Sequence, residues 1–184
     1  MFKINYKQEE FLSLNGKMIN DLNKLASELK RNLRDPKKSF IVSELIAIRN
    51  FNKAWSNIKP NNISNSYSKN EFKGIYAFAI NKGSFNVCYI GISRTIRRRF
   101  YDHANGLSEN RSSWVFLMAK QKMKDKYVLL TKREKKELFK KIQKDKVHSC
   151  KFTFVTINDN MFMHLAEVYC VNILHSFYNS FETH

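Results

Sequence analysis

Two tyrosines, an arginine and a histidine lie between Gly74 and His103, and side chains of these types can donate hydrogen bonds and move protons. Tyr76 and Tyr89 each lie in a short run of aromatic and β-branched residues, and Asn, Gly and Ser separate the runs, which is typical of a β-hairpin. Arg99 and His103 are four residues apart, so a helix presents both on one edge. The pattern predicts a pocket that Tyr76 and Tyr89 share with an arginine and a histidine, side chains that can donate hydrogen bonds and move protons.

The elements that must position this pocket are two strands and the helix that follows them. The runs Lys73–Ile80 and Phe85–Ile92 predict the strands of the hairpin. Ser93 is a typical N-cap residue, which predicts a helix that starts near Thr95. Apolar residues of that helix recur at steps of four and three and form its predicted buried stripe, which consists of Ile96, Phe100, Ala104 and Leu107.

The ordered motifs Gly74-Ile75-Tyr76 and Tyr89-Ile90-Gly91, followed by Arg99 and His103, resemble the GIY-YIG nuclease family. Either triplet alone would be a weak signal, whereas the ordered set is specific. The resemblance extends from residue 73 to residue 184, with an expanded middle, and does not cover the first seventy residues. It implies a metal-dependent DNA endonuclease that hydrolyses phosphodiester bonds.

Further motifs are similar to one bacterial, restriction-like branch of these nucleases. They are the segment Tyr89–Ile96 and the closing residues 179–184. The chain departs from the family at Ile92, where a lysine or another polar residue often follows the second motif. The branch similarity implies a stand-alone restriction or defence enzyme, and homing-type cleavage and repair incision are the competing roles.

The resemblance also implies a metal ligand near the C-terminus. Glu167 lies on the helix that follows the third strand, where the family binds a divalent metal, and Asn179 follows twelve residues later. An acid on an otherwise apolar helix needs a partner or a metal. A single hard carboxylate suits Mg²⁺ or Mn²⁺, whose other positions are filled by water and substrate phosphate.

The implied catalytic residues are Tyr76, Tyr89, Arg99, His103, Glu167 and Asn179. In this hypothesis Tyr76 activates water, Arg99 holds the phosphate, and the metal on Glu167 stabilises the leaving oxygen. The remaining three orient or brace the site. The general base stays open, because a free tyrosine has a pKa of ~10 and forming phenolate at pH 7 costs roughly 4 kcal/mol, which makes His103 the alternative base.

The charge of the chain indicates a polyanionic partner. Lys plus Arg number 33 against 16 Asp plus Glu, which gives a formal net charge of +17. We expect DNA as that partner. The predicted backbone contacts are Arg94, Arg97 and Arg98 beside the pocket and Lys135, Lys136 and Lys140 on a basic helix, although charge runs are also typical of solvated faces.

The cellular compartment can be predicted from two kinds of segment, membrane spans and secretory signals. No apolar run approaches the length of a membrane span and no secretory signal opens the chain, which predicts a cytoplasmic protein without a membrane partner. The three cysteines form no CxxC pair and are odd in number, which favours reduced thiols in the core.

The predicted fold class is α/β (α+β), with a small, mostly antiparallel three-stranded sheet flanked by helices in a GIY-YIG-like arrangement. Residues 1–58 form an N-terminal helical hairpin, with helices over 8–34 and 39–58, that packs on the core. Residues 59–72 form a linker, and 73–184 form the nuclease domain with a basic helical insertion at about 112–147. The third strand covers 150–157, and a last helix starts at Met161.

Other functional classes fit the same features. A catalytically inactive nucleic-acid-binding module would keep the fold and the charge but would not nick DNA. An RNA-directed nuclease is compatible with the charge, although no RRM-like or KH-like motif supports it. One active site cuts one strand, so a double-strand break requires a homodimer or two sequential nicks.

Overall fold

The computed structural model describes residues 8–47, 71–82 and 84–179. Within these ranges the protein is an α+β structure with four strands and six α-helices. The strands are β1 (Phe40–Ile41), β2 (Gly74–Lys82), β3 (Ser84–Ser93) and β4 (Lys151–Thr156). The helices are α1 (Gln8–Arg34), α2 (Val42–Ala47), α3 (Ile96–Asn105), α4 (Ser113–Met123), α5 (Lys132–Ile142) and α6 (Asn160–Ile173).

The four strands form one antiparallel sheet in the order β1-β4-β2-β3. The predicted hairpin is β2 and β3, and the predicted third strand is β4. Strand β2 is central, so Tyr76 lies opposite Gly91 of β3 on one side and Phe154 of β4 on the other. The α+β class is therefore confirmed, and the first tyrosine lies in the middle of the sheet.

The prediction of three strands is wrong, because β1 extends the sheet to four. Phe40 of β1 lies opposite Phe152 of β4, and Ile41 lies opposite Lys151. Both β1 residues fall inside the helix predicted over 39–58, whose described part begins only at Val42. Phe40 and Ile41 are apolar and pair with the open edge of β4. This tertiary pairing overrides the local helical pattern of the sequence. The remainder of that predicted helix, and residues 59–70 of the predicted linker, lie outside the described residues.

The sheet separates two apolar layers. On β2, alternate residues point to opposite faces, and Ile75 and Ala77 face helices α1 and α6, while Tyr76 and Phe78 face α3, α4 and α5. Helix α1 follows its predicted bounds and buries Leu25, Leu29 and Leu33. The two layers fix β2 from both sides, which holds the candidate pocket on a rigid strand. The domain boundaries themselves remain predictions.

The start of α3 differs from the predicted Ser93 cap. The Ser93 hydroxyl accepts the N–H of Thr95, one residue before the helix, at 2.9 Å. The first turn of the helix is instead satisfied by the carboxylate of Glu71, which accepts the N–H groups of Arg97 and Arg98 at 3.1 and 3.2 Å. A carboxylate at this end also suits the helix dipole. The predicted stripe is confirmed, since Ile96, Phe100 and Ala104 are buried and Leu107 is partly buried.

The segment between α4 and α5 is a 3₁₀ helix, Lys124–Leu129. Helix α5 begins with a complete capping box, in which Thr131 accepts the N–H of Glu134 and Glu134 accepts that of Thr131. A π-helical turn, Gln143–Val147, follows α5 and leads to β4. Among the described residues, no helix combines the length and the apolar character needed to cross a bilayer.

Candidate active site

The two motif glycines are explained by close approaches to the sheet. A Cβ at Gly91 would lie 2.4 Å from the hydroxyl oxygen of Tyr76, whose ring crosses the position directly opposite on β2. A Cβ at Gly74 would lie 2.1 Å from the carbonyl oxygen of Val155, where the backbone φ is +156°. Each glycine is therefore required because any side chain would displace a neighbour. Gly91 in particular makes the space that the Tyr76 phenol occupies.

A β-bulge between Phe78 and Ala79 interrupts the pairing of β2 with β3 beside Tyr89. Tyr89 lies on the same face as Tyr76, with 6.3 Å between ring centroids. Its ring stacks on Trp114 of α4 at 5.6 Å and 12°, and its hydroxyl lies 3.2 Å from the hydroxyl of Ser113. The two motif tyrosines thus lie side by side in one aromatic cluster.

Arg99 of α3 is held by three acceptors. Its Nε donates to the Tyr76 hydroxyl at 3.4 Å, one terminal nitrogen donates to the carbonyl oxygen of Arg111 at 3.0 Å, and the other donates to the hydroxyl of Ser113 at 2.8 Å. The loop from α3 to α4 supplies the Arg111 carbonyl, and the first residue of α4 supplies the Ser113 hydroxyl. Arg111 is itself fixed by an ion pair from its Nε to Asp102, at 2.8 Å. The guanidinium is therefore oriented before any substrate binds.

His103 lies behind Tyr76. Its Nε2 is 2.9 Å from the Tyr76 hydroxyl, its ring is fully buried, and its Nδ1 has no partner among the described residues. Burial, and then the charge of Arg99, hold the pKa of His103 well below its usual value. The imidazole is therefore neutral near pH 7.

The Tyr76 phenol is also uncharged at neutral pH. Burial and then Tyr89 raise the pKa of Tyr76 well above its usual value, and Arg99 acts in the opposite direction. Both candidate bases, the Tyr76 phenol and the His103 imidazole, are therefore uncharged at neutral pH. His103 Nε2 contacts the Tyr76 hydroxyl, and its ring also packs edge-on against Tyr89, with 5.0 Å between ring centroids.

Glu167 approaches the cluster from α6. Its carboxylate accepts the N–H of Ile92 on β3. Burial raises the pKa of Glu167, while His164, this hydrogen bond and Arg99 lower it. The Glu167 charge in turn raises the pKa of Tyr76. The acid, the arginine and the phenol are thus within electrostatic reach of one another.

The donor set at Glu167 limits which metal it suits. Among the described residues there is no group of three or more His, Cys, Asp or Glu side chains that could cage an ion. Glu167 is partly buried and forms no salt bridge with another described residue. Such a carboxylate fits Mg²⁺ or Mn²⁺, which retain several waters, and does not fit zinc, which needs three or four protein ligands.

Asn179 follows α6 and contacts the edge strand β3 rather than the Tyr76–Arg99 cluster. Its Oδ1 accepts the N–H of Ile90 at 2.9 Å and the hydroxyl of Ser176 at 2.6 Å, and its Nδ2 donates to the carbonyl oxygen of Ile90. The side-chain amide thereby replaces a neighbouring strand at the open edge of β3. This contact braces the strand that carries Tyr89.

The residues predicted to contact DNA occupy two places. Arg94, Arg97 and Arg98 lie at the start of α3, where Arg94 and Arg98 are exposed and Arg98 lies 3.9 Å from Asp102. Lys135, Lys136 and Lys140 lie on α5, where Lys135 pairs with Glu109 at 3.5 Å and Lys140 pairs with Glu137 at 2.8 Å. The loop between α3 and α4 joins these two places.

Three residues of the site have no counterpart in the sequence motifs. Ser113 connects Arg99 to Tyr89, the Arg111 carbonyl holds Arg99, and the amide of Gln143 donates to the carbonyl oxygens of His103 and Gly106. A serine at the start of a helix reads as a helix-start residue, so its sequence position indicates nothing about the pocket.

Comparison with known proteins adds no relative. No family model, no curated protein and no solved structure matches this chain.

Proposed function

We propose that this protein is a divalent-metal-dependent endonuclease that hydrolyses phosphodiester bonds in DNA, with a GIY-YIG-like fold and site. The observation that carries the proposal is the hydrogen-bonded cluster in which the Tyr76 hydroxyl lies between His103 and Arg99. Tyr89 adjoins this cluster through Ser113. Local motifs far apart in sequence thus contribute one phenol, one guanidinium and one imidazole to a single pocket.

Arg99 binds the scissile phosphate in this proposal. A guanidinium has five N–H donors in a planar fork, and three of them have acceptors in the protein. Tyr89 also hydrogen-bonds this group, so the guanidinium binds phosphate oxygens with a remaining donor or by exchanging that contact. A donor set that is already oriented stabilises charge on the phosphate without reorganisation.

Tyr76 and His103 move the proton of the attacking water. A phosphate on Arg99 lies beside the Tyr76 hydroxyl, because Arg99 Nε is 3.4 Å from that oxygen. The phenol oxygen takes a proton from water as its own proton passes to Nε2 of His103, and the hydroxide attacks phosphorus. Burial opposes charge on His103, and Arg99 opposes it further. A phosphate that neutralises Arg99 removes the second of these effects.

Glu167 would hold the divalent ion, and Ile92 N–H fixes the orientation of its carboxylate. A bound Mg²⁺ or Mn²⁺ would supply Lewis-acid stabilisation of the departing 3′-oxygen. Tyr89 orients the phosphate from the far side of Ser113, and Asn179 braces β3. The burial that raises the pKa of Glu167 favours binding of a cation, since an ionised buried acid needs a partner.

DNA is the substrate best suited to the charge of the chain, which is +17. The branch similarity supports a restriction or defence role. A homodimer or two successive nicks would then complete a double-strand break.

Supercoiled plasmid tests the proposal. Wild type and Glu167→Ala are incubated with Mg²⁺, with Mn²⁺ and with EDTA. We expect nicking or linearisation of the plasmid only by wild type with metal, and discrete fragments would indicate sequence specificity. Salt-sensitive binding of several DNAs without any cleavage would overturn the nuclease proposal and favour an inactive binding module, with RNA as the next substrate.

A further inference from the structure

Two apolar side chains are presented to solvent at the end of the 3₁₀ helix. Val128 is 74% exposed and Leu129 is 81% exposed, and they are adjacent in sequence. Single exposed apolar residues are common. An exposed pair at the tip of a turn is different, because each of the two side chains loses the stabilisation that burial would give.

The turn that carries this pair is anchored rather than loose. Tyr127 is 3% exposed, its hydroxyl donates to Glu109 at 2.9 Å, and its ring packs edge-on against Phe116 at 5.5 Å. The N–H of Leu130 donates to the carbonyl oxygen of Tyr127, and the capping box at Thr131 fixes the chain that follows. Val128 and Leu129 are therefore held outward and do not fold back onto the core.

Basic residues surround the apolar pair. Lys124 and Lys126 precede it and Lys132 and Arg133 follow it, and all four are exposed. Within the described residues none of these four forms an ion pair. Asp125 is the acid nearest in sequence, and Glu134 already accepts from Thr131. The tip therefore combines an exposed apolar pair with flanking basic residues. This combination complements a polyanion that has an apolar interior.

Duplex DNA has that combination, with phosphates outside and stacked bases inside. DNA-bending proteins insert apolar side chains such as leucine between base steps from the minor groove, while basic residues hold the flanking phosphates. A protein partner fits less well, because two side chains cover far less area than a stable protein interface needs.

The apolar tip and the candidate active site share one loop. Glu109 accepts the Tyr127 hydroxyl, and two residues later the carbonyl oxygen of Arg111 accepts Arg99. Lys135 adds an ion pair to Glu109 at 3.5 Å. The position of the tip relative to the phosphate-binding arginine is therefore fixed by that loop.

We propose that Leu129, with Val128 beside it, is a wedge that enters a base step of bound duplex DNA from the minor groove and bends the duplex. This inference rests on the proposed function for its DNA partner but not for its chemistry. The wedge provides a contact that is independent of net charge. It also bends the DNA next to the site of hydrolysis.

Bending and affinity are measured on a 30-base-pair duplex with a donor and an acceptor dye at its ends, in EDTA so that no strand is cut. Energy transfer reports the bend, and fluorescence anisotropy over a salt series reports affinity. The variants are Val128→Ser/Leu129→Ser and the single Leu129→Ala. Ile19→Ser is the matched apolar control, because Ile19 is 50% exposed on α1. Lys132→Ala is the charge control.

We expect wild type and Ile19→Ser to bend the duplex equally. The double variant should bind about tenfold more weakly, lose the bend and keep the salt slope. Lys132→Ala should keep the bend and reduce the salt slope by ~1 unit. Leu129→Ala should lose part of the bend, which keeps the test valid if the double variant does not fold.

Three outcomes would overturn the inference. Unchanged bend and affinity in both wedge variants, while wild type still cleaves plasmid with metal, would exclude the wedge alone. Loss of binding to phosphatidylserine vesicles by the double variant, without any effect on DNA, would identify a lipid surface instead. Failure of wild type to bind DNA at low salt would overturn both the wedge and the nuclease proposal.

Discussion

The hydroxyl oxygen of Tyr76 lies 2.9 Å from Nε2 of His103, and both side chains are buried. The phenol is protonated and the imidazole is neutral at pH 7, because burial shifts the two pKa values in opposite directions. Neither side chain of the pair is therefore charged in the substrate-free protein. In the proposed mechanism, the proton of Tyr76 passes to His103 when a phosphate neutralises the charge of Arg99.

Tyr76→Phe removes the one described partner of His103 Nε2. We expect the free energy of unfolding to fall by about 1–3 kcal/mol, the cost of an unsatisfied buried group, and single-turnover cleavage to slow by at least ~100-fold. Urea unfolding and single-turnover nicking measure these two effects. Tyr178→Phe, which removes a hydroxyl outside the cluster, is the control. A near-normal rate for Tyr76→Phe would remove Tyr76 from the proton path.

Ser113→Ala releases one terminal nitrogen of Arg99 and the hydroxyl of Tyr89 together. We expect kcat to fall by roughly 10-fold or more with a smaller change in KM, because the guanidinium loses its orientation in the transition state. Ser113→Thr, which keeps the hydroxyl, should recover most of the rate. Ser108→Ala, on the loop between α3 and α4, should behave like wild type. Equal losses at both serines would indicate a general effect of loop stability.

Glu167→Gln separates metal binding from stability. Burial raises the pKa of Glu167 above 4.5 in the folded state, so the stability linked to this group is fully present below about pH 4.5 and is lost as pH rises through the folded pKa. Glutamine carries no charge and can still accept from Ile92. We therefore expect the variant to unfold at a higher temperature than wild type at pH 7, with the difference closing near pH 4.

The same variant tests the metal directly by a readout other than activity. Mn²⁺ should raise the melting temperature of wild type in proportion to its occupancy and leave that of Glu167→Gln unchanged. Equal stabilisation of both proteins by Mn²⁺ would place the ion elsewhere. A variant less stable than wild type at pH 7 would contradict the burial argument.

Gly91→Ala tests the space beneath the phenol. An added Cβ would lie 2.4 Å from the Tyr76 hydroxyl oxygen, so we expect a loss of more than about 2 kcal/mol in unfolding free energy. In a Tyr76→Ala background the same change should cost much less, because the clash is gone. A double-mutant cycle by urea unfolding measures the difference. Purely additive losses would show that Gly91 serves the backbone and not the tyrosine.

The sequence predicted those parts of the site that depend on local spacing. Tyr76 and Tyr89 lie on hairpin strands, and Arg99 and His103 share a helix edge, because period two and period 3.6 follow directly from the chain. The position of Gly91 opposite Tyr76 follows from the same hairpin, whereas the close neighbours of Gly74 belong to β4 and the residue after it. These elements agree with the structure because short-range geometry determines them.

Contacts between distant segments could not be predicted in the same way. Phe40 and Ile41 carry an apolar pattern that suits a helix, and only the open edge of β4 makes them a strand. The carboxylate of Glu71, 26 residues before Arg97 in sequence, accepts a backbone N–H at the start of α3. The role of Ser113 depends on where α4 meets α3. In each case the deciding partner lies in another part of the chain, so a local pattern carries no signal for it.

The most direct test of the central claim compares neighbouring arginines. Arg99→Ala and Arg98→Ala are assayed in single-turnover nicking of supercoiled plasmid with Mg²⁺, at saturating protein so that binding does not limit the rate. Arg99 contacts Tyr76 and Ser113, whereas the Arg98 side chain is 79% exposed. If Arg99 binds the scissile phosphate, Arg99→Ala should slow nicking by roughly 10²–10³-fold, while Arg98→Ala should stay within about tenfold of wild type. A wild-type rate for Arg99→Ala, or equal losses in both variants, would contradict a phosphate site built on Arg99.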